Sequence, residues 1–118
     1  MGTGVVRIIL RHITGSRATE VDEIAIGAHR ELILGRAASA AVRFDPRRDG
    51  SVGRFHARIE PAGAPGCFRL VDLASRNGTI LNGRRMSEPT LLSPGDVFRL
   101  GEDGPELEFM VEIVAAER

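Results

Sequence analysis

The feature that most constrains this chain is an alternation of apolar and polar residues in runs too short for helices. In "RFHARIE" (54–60), Phe55, Ala57 and Ile59 fall on one side, and Arg54, His56, Arg58 and Glu60 on the other. That is the period of a half-buried β-strand. "LEFMVEI" (107–113) repeats it, with Leu107, Phe109, Val111 and Ile113 expected to face inward, and "VRF" (42–44) does so on a smaller scale. "VVRIIL", "DEIAI", "ELILG", "CFRLVDL" and "DVFRLG" are further β-rich runs. No window of ten residues carries a helical period. Turn signals separate the runs: "DPRRDG", "PAGAPG", "NG" at 77–78 and again at 82–83, "SPGD" and "EDGP". Asn82-Gly83 is the clearest, since a type I′ hairpin needs positive φ at both central residues. "TGSRATE" (14–20) reads as a loop between the first two strands. Many short strands with frequent turns predict an all-β sandwich or barrel.

A chain of 118 residues suits one domain, expected over 1–118 with its core at about 5–114. The hydrophobic share of 42% and charged share of 27% are those of a globular protein. No apolar run approaches a membrane span and no leader pattern opens the chain, so a cytoplasmic location is expected. Formal net charge is zero, which speaks against a nucleic-acid or membrane-surface binder. All 16 basic residues are Arg, as codon usage in a GC-rich genome would give. Any anion site here must therefore use guanidinium forks, which suit bidentate phosphate contacts.

Enzyme chemistry finds little support. A Walker loop is impossible without Lys, and there is no G-x-S-x-G elbow. Cys67 is alone, so neither a disulfide framework nor a thiolate metal cluster is available. His12, His29 and His56 lack zinc-ligand spacing. No catalytic residue, metal or cofactor is expected.

Individual positions remain open on spacing alone. Arg36, after Gly35 at the end of an apolar run, is either an ordinary surface arginine or an anion fork. Gly35 is expected to free the backbone to turn there. Asn77 before Gly78 is turn chemistry, or an amide offering donor and acceptor to a peptide backbone. His56 is read as a satisfied framework histidine. Asn82 and Gly83 are hairpin residues first, and Asp96 after Pro94-Gly95 closes a tight turn.

Four pieces in one order are more specific: "LGR" (34–36), "VGRFHARI" (52–59), "DLASRNGTILNG" (72–83) and "LLSPGDVFRLG" (91–101). Together they resemble the forkhead-associated (FHA) domain. The family pattern runs G-R, S-x-x-H, S-x-N-G-T-x-x-N-G and L-x-x-G-D. The resemblance implies a β-sandwich of two antiparallel sheets with about ten or eleven short strands. It implies a non-catalytic module that binds phosphothreonine peptides in Ser/Thr-kinase signalling, its partner being the kinase or a kinase substrate. It places Arg36, Gly53, Arg54, Ser75, Arg76 and Asn77 at the phosphopeptide, with Gly35, His56, Gly78 and Asn82 as structural support.

One position departs from the pattern. Where the family's serine donates its hydroxyl to phosphate, this chain has Gly53. Losing a hydrogen bond to a charged group costs about 1.5–3 kcal/mol, or roughly ten- to hundredfold in Kd. Three features offer compensation: Arg54 next in sequence, the backbone N–H of Gly53, and Ser51 two residues earlier. The alternative is a degenerate FHA domain that binds an unphosphorylated partner. A more distant one is nucleic-acid binding through the Arg-rich "DPRRDG" and "NGRRM" loops, against which the 4% aromatic content argues.

Overall fold

The computed structural model describes residues 5–26 and 30–114. His29 lies outside them. The described residues form eleven strands: β1 Val5–His12, β2 Val21–Ile26, β3 Leu32–Gly35, β4 Val42–Arg43, β5 Ala57–Pro61, β6 Phe68–Asp72, β7 Thr79–Leu81, β8 Arg84–Arg85, β9 Thr90–Leu92, β10 Val97–Leu100 and β11 Glu106–Val114. One sheet runs β2-β1-β11-β10-β7-β8 and the other β4-β3-β5-β6-β9. The expected sandwich is present, with one departure: β3 and β4 pair in parallel, Leu34 opposite Val42. Every other strand pair in the two sheets is antiparallel.

The core lies between the two sheets. Ile8, Leu10, Phe98, Leu100, Leu107 and Phe109 from the first meet Leu32, Leu34, Ile59, Phe68 and Leu70 from the second, all buried. Phe68 and Phe109 meet edge-on across the interface, ring centres 6.3 Å apart. An edge-to-face pair suits the aromatic quadrupole and adds to the area buried.

Period-two reading fails at two places. Ile113 was expected inward and is 60% exposed; near the end of β11, it lies against Gly66 of the β5–β6 loop and not in the core. Phe55 was also expected inward and is 49% exposed, while His56 is fully buried. The strand begins only at Ala57, so residues 53–56 form a turn whose side chains do not alternate. The loop at 14–20 is as expected. So is the hairpin joining β7 to β8, with Asn82 at φ 48° and Gly83 at φ 85°.

Candidate functional site

The loops β3–β4, β4–β5, β6–β7 and β10–β11 meet at one end of the sandwich. Two main-chain bonds zip the first pair: Arg36 N–H donates to Gly53 C=O at 2.9 Å, and Ala37 N–H to Arg54 C=O at 3.0 Å. Gly35 makes this possible. A Cβ on it would sit 2.0 Å from the Arg54 carbonyl oxygen. Its φ is not positive, so its purpose is close approach between backbones and not the free turning expected from the sequence.

His56 joins the next pair. Its Nδ1 accepts the Gly53 N–H at 3.0 Å, and its Nε2 lies 2.8 Å from the Gly78 carbonyl. An acceptor on one nitrogen and a donor on the other fix the neutral Nε2–H tautomer. Burial lowers its pKa below the ordinary 6.5, outweighing the Gly78 bond and the charge of Asp72. The framework reading of His56 thus fits, and the histidine holds the Gly53 loop to the Asn77-Gly78 loop.

Asp72 organises the second loop, and sequence reasoning missed it. It accepts the Ser75 hydroxyl at 2.5 Å, the Ser75 N–H at 3.0 Å and the Thr79 hydroxyl at 2.7 Å. Burial pushes its pKa up; these hydrogen bonds outweigh that and leave it below the ordinary 3.8. Ser75 then accepts the Gly78 N–H at 2.9 Å. Its hydroxyl is committed within the loop, as donor and as acceptor. The run D-x-x-S before Asn-Gly was the available signal, since a short acidic side chain three residues before a serine caps such a turn. Asp49 was missed as well. Only 4% exposed, it accepts the Ser16 N–H at 3.1 Å and the Ser16 hydroxyl, fastening the β1–β2 loop beside the site.

The remaining expected residues divide. Arg36 is half-buried, and its Nε donates to the Val52 carbonyl. That bond aims the guanidinium, and no described residue bonds its two terminal nitrogens. Arg54 is exposed, with its guanidinium carbon 5.9 Å from the centre of the Phe55 ring. Arg76 and Asn77 are exposed on the β6–β7 loop. Asn77 Nδ2 donates to the Ser51 carbonyl at 2.9 Å, leaving its Oδ1 without a described donor. Ser51 is not loose, because its hydroxyl donates to the Leu100 carbonyl at 3.2 Å. The Gly53 N–H, considered as an anion donor, is engaged by His56. Asn82 lies at the far end of β7 from Gly78, roughly 13 Å away at strand rise. It bonds Asp96 and Val97, so it positions the strand and does not touch the loops. Asp96 closes its turn as expected, accepting the Ser93 N–H at 2.7 Å.

The arginines divide by whether a carboxylate faces them. On the sheets, Arg7, Arg11, Arg58 and Arg69 each pair with a glutamate, and in the β1–β2 loop Arg17 pairs with Glu20 and Asp22. Arg36, Arg54, Arg76 and Arg85 have no carboxylate partner among the described residues, and neither have Arg30, Arg43, Arg47, Arg48 and Arg84. A chain of zero net charge therefore presents unpaired cations at its loop end. No group of three His, Cys, Asp or Glu among the described residues could hold a metal ion.

Comparison with known proteins identifies the fold and the family. The family model for the FHA domain matches residues 32–101. None of the curated proteins matches the sequence. Among solved structures, the FHA domain of the CT664 protein from Chlamydia trachomatis is 25% identical, with TM-score 0.70 over 88% of this chain and 96% of that one. An FHA domain studied for phosphothreonine-dependent interactions is 31% identical, with TM-score 0.69 over 88% of this chain and 95% of that one. The FhaA FHA domain, complexed with the intracellular domain of Rv3910, is 28% identical, with TM-score 0.67 over 89% and 99%. FHA domains are non-catalytic interaction modules, and this chain belongs to the FHA family.

Proposed function

We propose that this domain binds phosphothreonine-containing peptides through its loop end, as a non-catalytic partner of Ser/Thr-kinase signalling. The carrying observation is the guanidinium of Arg36, aimed by the Val52 carbonyl, with no carboxylate against it among the described residues. Such a fork can give phosphate two parallel N–H donors. Arg54 and Arg76 add exposed positive charge on the adjoining loops. Asn77 Oδ1 is left to accept a peptide N–H. Ser75 serves by shaping the loop. The solved relative studied for phosphothreonine-dependent interactions lends the reading its chemistry.

One observation favours a second reading, in which the partner is not phosphorylated. Gly53 brings no hydroxyl, and its N–H is already bonded to His56. The test is a calorimetric titration of one phosphothreonine peptide, drawn from a library screen, and its dephosphorylated twin. The first reading expects the phosphorylated peptide to bind at least tenfold tighter. Equal affinities would replace it with the second.

A further inference from the structure

The "NGRRM" segment is not used by the phosphate site, yet β8 brings one of its arginines to the same loop. Nε, Cζ and Nη2 of Arg85 lie 2.7, 2.8 and 3.0 Å from where a Cβ on Gly78 would stand. The guanidinium thus rests flat on Gly78. Gly78 is at φ +81°, a backbone conformation that favours glycine there. Arg85 pairs across the strands with Ile80, which is 5% exposed. Phe98 and Leu100, opposite Leu81 and Thr79, face the core, so Ile80 and Arg85 share the outer face of the sheet. The Arg85 residue is exposed and has no carboxylate partner among the described residues. It is a preplaced, unneutralised cation beside Asn77.

We propose that Arg85 is a specificity-determining residue: it reads an Asp or Glu of the peptide flanking the phosphothreonine. The proposal rests on the phosphopeptide reading of the site. A peptide held at Asn77 passes the residue next to Gly78, where the Arg85 fork is already in place. Ordering a long side chain opposes exposed ion pairs, and here the contact with Gly78 reduces that cost before binding. Arg76 is the competing cation on the loop, but the Gly78 contact favours Arg85. Arg76 stands exposed on the loop with no carboxylate partner among the described residues.

The experiment screens phosphothreonine peptides randomised at the flanking positions, against the parent, Arg85→Gln and Arg85→Glu. Gln keeps much of the stem over Ile80 and removes the charge. The parent should enrich acidic residues at one flanking position, by roughly three- to fivefold, the range of an exposed ion pair. Arg85→Gln should lose that enrichment and keep its preference for the phosphorylated library. Arg85→Glu should turn the same position toward Lys or Arg. Acidic selection that survives in Arg85→Gln, or its absence in a phospho-binding parent, overturns the assignment to Arg85. A parent that binds no phosphorylated peptide removes the phosphopeptide reading itself, and this proposal with it. Parallel melting curves identify a variant that has lost its fold; Arg85→Lys, which keeps stem and charge, should then retain the acidic selection or refute it.

Discussion

His56 accepts the main-chain N–H of Gly53, three residues earlier, while its other nitrogen bonds the Gly78 carbonyl. One buried ring thereby ties its own loop to a carbonyl 22 residues further along the chain. Replacing it by Ala would leave a buried donor and a buried acceptor without partners, at about 1–3 kcal/mol for each group. For a domain of this size that is a fall of roughly 10 °C or more in melting temperature. Affinity for a phosphopeptide should fall with the loss of order. A variant as stable as the parent that fails to bind would show that His56 touches ligand.

The same ring makes stability pH-dependent. Its folded pKa lies below the unfolded value of 6.5, so the unfolded chain takes up protons first as pH falls. Its contribution is complete above 6.5 and is lost as pH drops through the lower folded value. Asp72, held below 3.8, adds a second loss at more acid pH, by the same sign. Urea midpoints measured from pH 8 to pH 3 should fall in these two windows. His56→Gln should flatten the first window and leave the second. Nitrogen NMR at pH 7 should find the His56 proton on Nε2.

Gly53→Ser restores the hydroxyl that the family pattern carries. The backbone permits it: Gly53 is not at positive φ, and an added Cβ meets nothing nearer than His56 Nδ1 at 3.8 Å. Phosphopeptide affinity should rise, by at most about 1.5–3 kcal/mol, with no gain for the dephosphorylated twin. Arg54→Ala in the natural background should be unusually damaging, because Arg54 then carries contacts that a serine would share. Titration of the three proteins against both peptides decides; no gain and no discrimination would favour a phosphate-independent domain.

Arg36→Ala should weaken phosphopeptide binding by ten- to hundredfold or more, the loss of at least one charged hydrogen bond. It also leaves the Val52 carbonyl without its partner, so unfolding should shift by about 1–3 kcal/mol at most. Arg36→Lys should recover little of the affinity, since a point charge does not reproduce the fork. Unchanged affinity in Arg36→Ala rules out the anchoring role, and unchanged affinity in Arg36→Lys rules out the fork.

The fold was legible because alternation and turn chemistry act locally. Asn82-Gly83 announces its hairpin in two residues, and Leu107 and Phe109 announce their face. Phe55 and His56 misled, because periodicity was extended backward past Ala57, where the chain still turns. The roles of Gly35, Asp49 and Ser51 were invisible for another reason. Each is defined by a partner far along the chain: Arg54, Ser16 and Leu100. Spacing alone left Arg36 and Asn77 open, and the family resemblance pointed to them. It did not show that the Gly53 N–H was already engaged.

The zipper between Arg36 and Gly53, and between Ala37 and Arg54, is made of peptide groups alone. Such a seam is blind to the side chains it carries. Positions 53 and 54 are therefore free to mutate without the loop losing its shape, provided residue 35 stays glycine. Recognition here can be rewritten while the frame stands. A library diversified at 53, 54 and 76 over a fixed Gly35 should yield mostly folded members, which makes this end of the molecule a ready starting point for evolving new binding specificities.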